Sequence, residues 1–196
     1  MLRNRSLRTD RRSGDSSIAD LHYTLQIAFG WSDAHLNLIH IYAQDYAVYR
    51  DDGTSFLTQS DHVRLCDFKF RINERFRYKY NFGDDWQHEV RVEVRLAWDE
   101  KRTYPCCIGG KRRAPPEGCG GPLAFMTRRD AALSHVEDLL EDIQDDLEAN
   151  DIEAIRDRGD EIEELCEWLT LDDFDRRGVN CRLKQYATHD EAWMWQ

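Results

Sequence analysis

The 196-residue chain has no apolar run long enough to cross a membrane as a helix. No apolar segment follows the N-terminal arginines, as a secretory signal would require, so the expected setting is the cytoplasm. Proline is scarce. Its four copies all fall between Tyr104 and Pro122, with five glycines and three cysteines, and no regular element fits that stretch. An ordered loop lying over a sheet is expected there. Positive charge is also short: 27 Lys and Arg stand against 38 Asp and Glu, a net charge of −11. A chain of that sign is a poor nucleic-acid binder by default. The imbalance is local, since Asp130 to Asp175 hold nineteen acidic and two basic residues, whereas Arg3, Arg5, Arg8, Arg11 and Arg12 crowd the start. Six cysteines without a secretory signal read as reduced thiols, some of them candidate metal ligands, rather than as a disulfide framework.

What is present begins with a strong alternation. Phe76, Tyr78, Tyr80 and Phe82 share one parity before Gly83; Trp86, His88, Val90, Val92, Val94 and Leu96 share one after it. Charged and amide residues fill the places between. This predicts a β-hairpin turning at Gly83-Asp84-Asp85, its aromatic inner face a wall for the rest of the chain. Ahead of it, Ser17 and Asp20 form a capping box for a helix over 18–29 that Gly30 ends. A strand is expected from about Ala34, continued or paired by 46–49, then a short strand at 62–65 and a helical turn at 67–70. Thr127 is expected to cap a helix whose apolar stripe is Leu133, Val136, Leu140, Ile143 and Leu147. A further helix carries Ile162, Leu165, Trp168 and Leu169; a last one carries Val179, Leu183 and Tyr186. Trp193 and Trp195 are expected to dock.

The fold class is therefore α+β: an antiparallel sheet around the central hairpin, packed by an N-terminal helix and acidic C-terminal helices. Residues 1–15 read as a disordered basic arm, 16–126 as the α+β core, 127–190 as an acidic helical part and 191–196 as a tail.

Three blocks resemble the plasmid pRiA4b ORF-3-like family, also described as insertion-sequence passenger proteins of a "TnpR" type. They are Ile18 to His22 with Gly30-Trp31, Tyr78 to Val90, and Tyr104 to Pro122; a weaker match runs from Trp168 to Leu183. The resemblance implies the same fold class and no established reaction, and it suggests carriage on mobile elements. The family usually opens with a strand ending in a Pro-Pro-Ile-Trp-Arg-Arg-like segment, of which only Arg11-Arg12 remains, so a shortened start and a missing strand are expected. Ala114, Gly118 and Asn81 stand where the family often has Cys, Asp and Asp.

The candidate pocket is Tyr80, Asp84, Asp85, Trp86, His88 and Glu89, a hairpin end with paired carboxylates and a histidine suited to acid–base work. The favoured readings are plainer: His88 as a core histidine bonded to backbone or tyrosine, and the carboxylates as a solvated turn. His88, Cys107 and Cys119 form a candidate site for zinc or another divalent metal, although the spacing lacks a close Cys pair. Lys111, Arg112 and Arg113, with Arg71, Arg75 and Arg77, form a candidate phosphate-binding patch or plain solubilising charge. The acidic face is expected to be solvated or to dock a basic partner, the chain's own arginine arm included. The leading expectation is a non-enzymatic binding or accessory module that takes a protein partner. An enzyme with a His/Cys/carboxylate site and a DNA-associated accessory protein are the alternatives.

Overall fold

The computed structural model describes residues 6–8, 16–48, 58–95 and 99–194. Helix α1 (Ile18–Phe29) starts and stops as the sequence predicts. The Ser17 side chain accepts the Asp20 N–H, the Asp20 carboxylate accepts the Ser17 N–H at 2.7 Å, and Gly30 closes the helix at φ 74°. Nine of its 12 residues are buried, polar His22, Thr24 and Gln26 among them. A helix enclosed on every side is a central element, not a surface one.

One side of α1 meets a five-stranded sheet built of β2 (Asn37–Ile41), β3 (Gln44–Ala47), β4 (Thr58–Gln59), β5 (Arg75–Tyr80) and β6 (Trp86–Arg91), in the order β4-β3-β2-β5-β6. Its pairings are antiparallel except β3 with β4. The hairpin runs from Arg75 opposite Arg91 to Tyr80 opposite Trp86, and Phe76, Tyr78, Tyr80 and Trp86 are buried as their parity demands. The alternation ends sooner than expected: Phe82 sits exposed in the turn, Val94 is exposed beyond β6, and Leu96 lies outside the described residues. Positive φ falls on Asn81 (51°) and Asp85 (55°) rather than on Gly83. The Asn81 side chain accepts the Gly83 and Asp84 N–H groups, so an Asx turn makes the reversal.

The other side of α1 meets β7 (Cys106–Gly109) and the helix α5 (Arg176–Ala187). β7 pairs antiparallel with β1 (Ser6–Arg8). Both strands depart from expectation, one lying in the supposed unstructured arm and the other in the supposed loop. A strand does precede α1, so the expected loss is corrected. Three or four residues are too few to show a period, and β1 forms because β7 offers an unpaired edge. Asn180 on α5 covers the opposite edge, accepting the Cys107 N–H at 2.8 Å and donating to the Cys107 carbonyl at 2.9 Å. The core accordingly has two parts. A larger one joins Leu21 and Leu25 to Ile39, Phe76, Tyr78, Tyr80, Trp86 and Phe125, and a smaller one joins Ile27 and Ala28 to Cys107, Val179 and Leu183.

Helix α2 (Gly121–Glu148) begins ahead of Thr127, with Pro122 in its first turn; the Thr127 hydroxyl bonds the Leu123 carbonyl inside the helix instead of capping it. α3 (Ile152–Asp157) and α4 (Gly159–Leu169) fold back along α2. The buried row of α2 is Phe125, Ala132 and Leu139, not the predicted leucine stripe, of which Leu133, Leu140 and Leu147 are exposed. Arg158 at the α3–α4 junction binds Asp146 at 2.6 Å and Asp142 at 3.0 Å. The strand expected over 62–65 is reduced to a bridge from Arg64 to Ser17, and the helical turn falls at Leu65–Phe68. Trp193 packs at 5.7 Å from Tyr23 and 5.4 Å from Tyr186; Trp195 lies outside the described residues.

Candidate functional site

Where α1 faces β5, four buried side chains close a ring of hydrogen bonds. Gln26 Nε2 donates to the Tyr78 hydroxyl at 2.6 Å, Tyr78 and His22 Nδ1 are 3.0 Å apart, His22 Nε2 and Asp33 Oδ1 are 2.8 Å apart, and the Asp33 N–H donates to Gln26 Oε1 at 3.2 Å. One tautomer satisfies every atom: Tyr78 O–H donates to Nδ1, and Nε2–H donates to Asp33. Burial pushes the Tyr78 phenol well above its usual range, which keeps it a donor. His22 and Gln26 are i, i+4 on α1, polar residues beside Leu21 and Leu25 on a largely buried helix. That interruption was the available signal, and sequence reasoning passed over it.

A second cluster ties the proline-rich segment down. Trp31 stacks on Tyr80 at 4.8 Å and donates to the Pro115 carbonyl at 2.9 Å. Glu117 accepts from the Tyr80 hydroxyl and, at 2.7 Å each, from the Ser32 N–H and hydroxyl. Burial works to raise the Glu117 carboxyl, but the bonds from Tyr80 and Ser32 outweigh it and hold the group below its usual value. Burial, reinforced by Glu117, pushes the Tyr80 phenol well up. The segment is thus a lid over the aromatic wall, with Glu117 as its unanticipated anchor.

The expected hairpin pocket is dispersed. Asp85 binds Lys79 at 2.6 Å and Glu89 binds Arg75 at 2.7 Å, both in solvent, so they make surface pairs rather than an acid–base couple. Asp84 accepts the Gly120 N–H at 3.3 Å. Trp86 is buried, and its Nε1 and His88 Nε2 have no hydrogen-bond partner among the described residues. His88 stacks on Phe29 at 4.6 Å and lies edge-on to Trp31 at 5.5 Å. It is a half-buried histidine packed among rings, with no hydrogen bond at Nε2 among the described residues.

Burial lowers the His88 imidazole to about 4. Its unfolded value is near 6.5, so the unfolded chain binds the extra proton between those pH values. The stability contribution is complete above about pH 6.5 and is lost as pH falls through about 4. A loss on the order of 3 kcal/mol is expected over that window, beyond what acidic groups contribute. Denaturant unfolding at the two ends, repeated on His88→Phe, checks it: the variant should show a shallower pH dependence.

Cys107 and Cys119 are both buried but in different parts of the core, Cys107 beside Val179 and Leu183, Cys119 with the aromatic wall. Burial raises the Cys119 thiol. Among the described residues no three His, Cys, Asp or Glu side chains gather as metal ligands would. In the basic run, Arg112 binds Asp172 at 2.6 Å, and the Arg113 backbone N–H donates to the Leu171 carbonyl, which fastens the run to the segment after α4.

A different basic site does form. A groove of about 560 Å³ opens between β7 and α5, lined by Arg102, Thr103, Pro105, Cys106, Cys107, Ile108, Arg176, Arg177, Asn180 and Lys184. Four of these are cations and none is a carboxylate. Arg177, Asn180 and Lys184 share one helical face by their 3 and 4 spacing. Arg102 is paired with Asp99 at 3.0 Å and Arg176 donates to the Ile108 carbonyl at 3.3 Å, whereas Arg177 and Lys184 make no ion pair among the described residues. In the sequence these cations are scattered over two distant segments, which is why they were not grouped.

Comparison with known proteins places this geometry in a family. The chain is 22% identical over 186 residues to the uncharacterized protein y4hQ of Sinorhizobium fredii, covering 91% of this chain and 80% of that one. The crystal structure of MM3350, a protein of unknown function from Methanosarcina mazei Go1, aligns at a TM-score of 0.55 with 27% identity, covering 88% of this chain and 83% of the other. The sequence model described as plasmid pRiA4b ORF-3-like protein matches residues 6–182, from β1 into α5. The chain therefore belongs to the plasmid pRiA4b ORF-3-like family.

Proposed function

We propose that the protein is a non-enzymatic binding module whose β7–α5 groove holds a compact phosphate-bearing ligand. One observation carries the reading: four cations line a single groove without a lining carboxylate, in a chain of net charge −11. Like charges gathered this way raise the energy of the empty site, and an anion relieves it. Arginine forks suit phosphate oxygens, and the volume suits a small molecule better than a duplex. The ring under α1 is read as structural rather than catalytic because His22, Asp33 and Tyr78 are buried and spend their hydrogen bonds on one another. The plasmid origin of the family name supports an accessory role on mobile elements, and six cysteines outside any disulfide support a reducing, cytoplasmic setting.

Titration calorimetry with pyrophosphate and with a nucleoside triphosphate tests the proposal. Binding is expected with Kd on the order of 0.1 mM at low salt, at least about tenfold weaker in Arg177→Glu/Lys184→Glu. Absence of binding to both probes, or an unchanged affinity in the variant, refutes it. Tighter, steeply salt-dependent binding to duplex DNA than to either probe would favour the DNA-associated reading instead.

A further inference from the structure

The leucine stripe that the core leaves unused has its own logic. Met126, Leu133, Leu140 and Leu147 recur every seven residues along α2, and the last three are 73%, 61% and 59% exposed. Leu123, one turn earlier, is 81% exposed. Seven-residue spacing drifts by only about 20° per repeat on a straight helix, so these side chains form one row roughly 30 Å long. Half-buried Val136 and Ile143 broaden it toward the core side. Isolated exposed leucines are ordinary, but an ordered row of them is the mark of a contact surface.

The charge beside the row selects the occupant. Beyond the buried row, Asp142 and Asp146 share one cation, Arg158. On the free side, Glu137 and Glu141 flank the leucines and make no ion pair among the described residues, and α2 carries no Lys or Arg from Asp130 to Glu148. A second copy laid along this face would set carboxylate against carboxylate. We infer that the exposed leucine row of α2 is a docking face for a helix of a partner protein, one with an apolar stripe bordered by lysines or arginines. The partner's stripe covers the leucines, and its basic border meets the flanking glutamates. The face is distinct from the β7–α5 groove, so a partner and an anionic ligand bind independently.

The probe is a synthetic amphipathic helical peptide with leucines at the seam and lysines beside it, compared by fluorescence anisotropy with a scrambled peptide of the same composition. The full chain is expected to bind the patterned peptide with Kd on the order of 10 µM and the scrambled one at least about tenfold more weakly. Leu133→Gln/Leu140→Gln should weaken the patterned peptide about tenfold or more while leaving the thermal midpoint unchanged, since neither residue is in the core. Glu137→Lys/Glu141→Lys should weaken it as well. Equal binding of the two peptides, or indifference to the leucine substitutions, overturns the inference. So does a dimer in sedimentation analysis that Leu133→Gln/Leu140→Gln dissociates, because the occupant would then be a second copy.

Discussion

His22→Ala is expected to destabilise the protein by about 4 kcal/mol, visible as a fall in thermal midpoint of roughly 12 °C. The imidazole is wholly buried and sits between the Asp33 carboxylate and the Tyr78 hydroxyl. Its removal deletes the hydrogen bonds that the imidazole makes with the Asp33 carboxylate and the Tyr78 hydroxyl, and it opens a cavity beside α1. Tyr78→Phe, which deletes only the hydroxyl, should cost about 2 kcal/mol, because Gln26 Nε2 and His22 Nδ1 each lose a partner. The two substitutions act on one ring and should be less than additive in a double-mutant cycle. Additive effects near 0.5 kcal/mol each, measured by denaturant unfolding, would mean that the ring is incidental to the fold.

Three glycine substitutions should rank by how closely another part of the chain approaches. Gly121 has φ 82°, and a Cβ there would lie 2.4 Å from the Asp84 carbonyl oxygen. Both obstacles are backbone, so neither can swing aside, and Gly121→Ala is expected to cost about 3 kcal/mol or more. Gly118 has φ 75° with nothing within 4 Å of where a methyl would stand, so Gly118→Ala should cost about 1 kcal/mol from backbone strain alone. Gly109, with open space and no positive φ, should tolerate alanine within about 0.5 kcal/mol. Unfolding free energies for the three variants give the order directly. If Gly121→Ala matched Gly118→Ala, the contact between the start of α2 and the hairpin turn would not be holding the lid in place.

The parts of the fold that the sequence made legible are those with a local physical signature. The capping box at Ser17, the C-cap at Gly30 and the buried parity of Tyr78, Tyr80 and Trp86 depend on spacing that a single strand or helix carries by itself. β1 and β7 were not legible because each is made by its partner across the molecule. The stripe on α2 is an apolar row as its spacing predicts, but the buried row is its neighbour, Phe125, Ala132 and Leu139, and periodicity alone cannot say which of two neighbouring rows will be covered. The surface pairing of the hairpin carboxylates was missed for a related reason. Asp85 and Glu89 had cationic neighbours across the strand, Lys79 and Arg75, that took up their charge. The polar ring around His22 showed in sequence only as His22 and Gln26 one turn apart, with Tyr78 supplied from a distant strand, and the β7–α5 groove draws on two far-apart segments that no single window contains.

β7 has a consequence for how the molecule comes into being. One of its edges is filled by Ser6–Arg8 and the other by Asn180, residues drawn from near opposite ends of the chain. A growing polypeptide leaving the ribosome can therefore wind α1 and zip the hairpin early, yet this strand acquires both neighbours only after α5 has emerged. The cationic cleft beside it is consequently assembled after the hairpin, and not before Asn180 has been made.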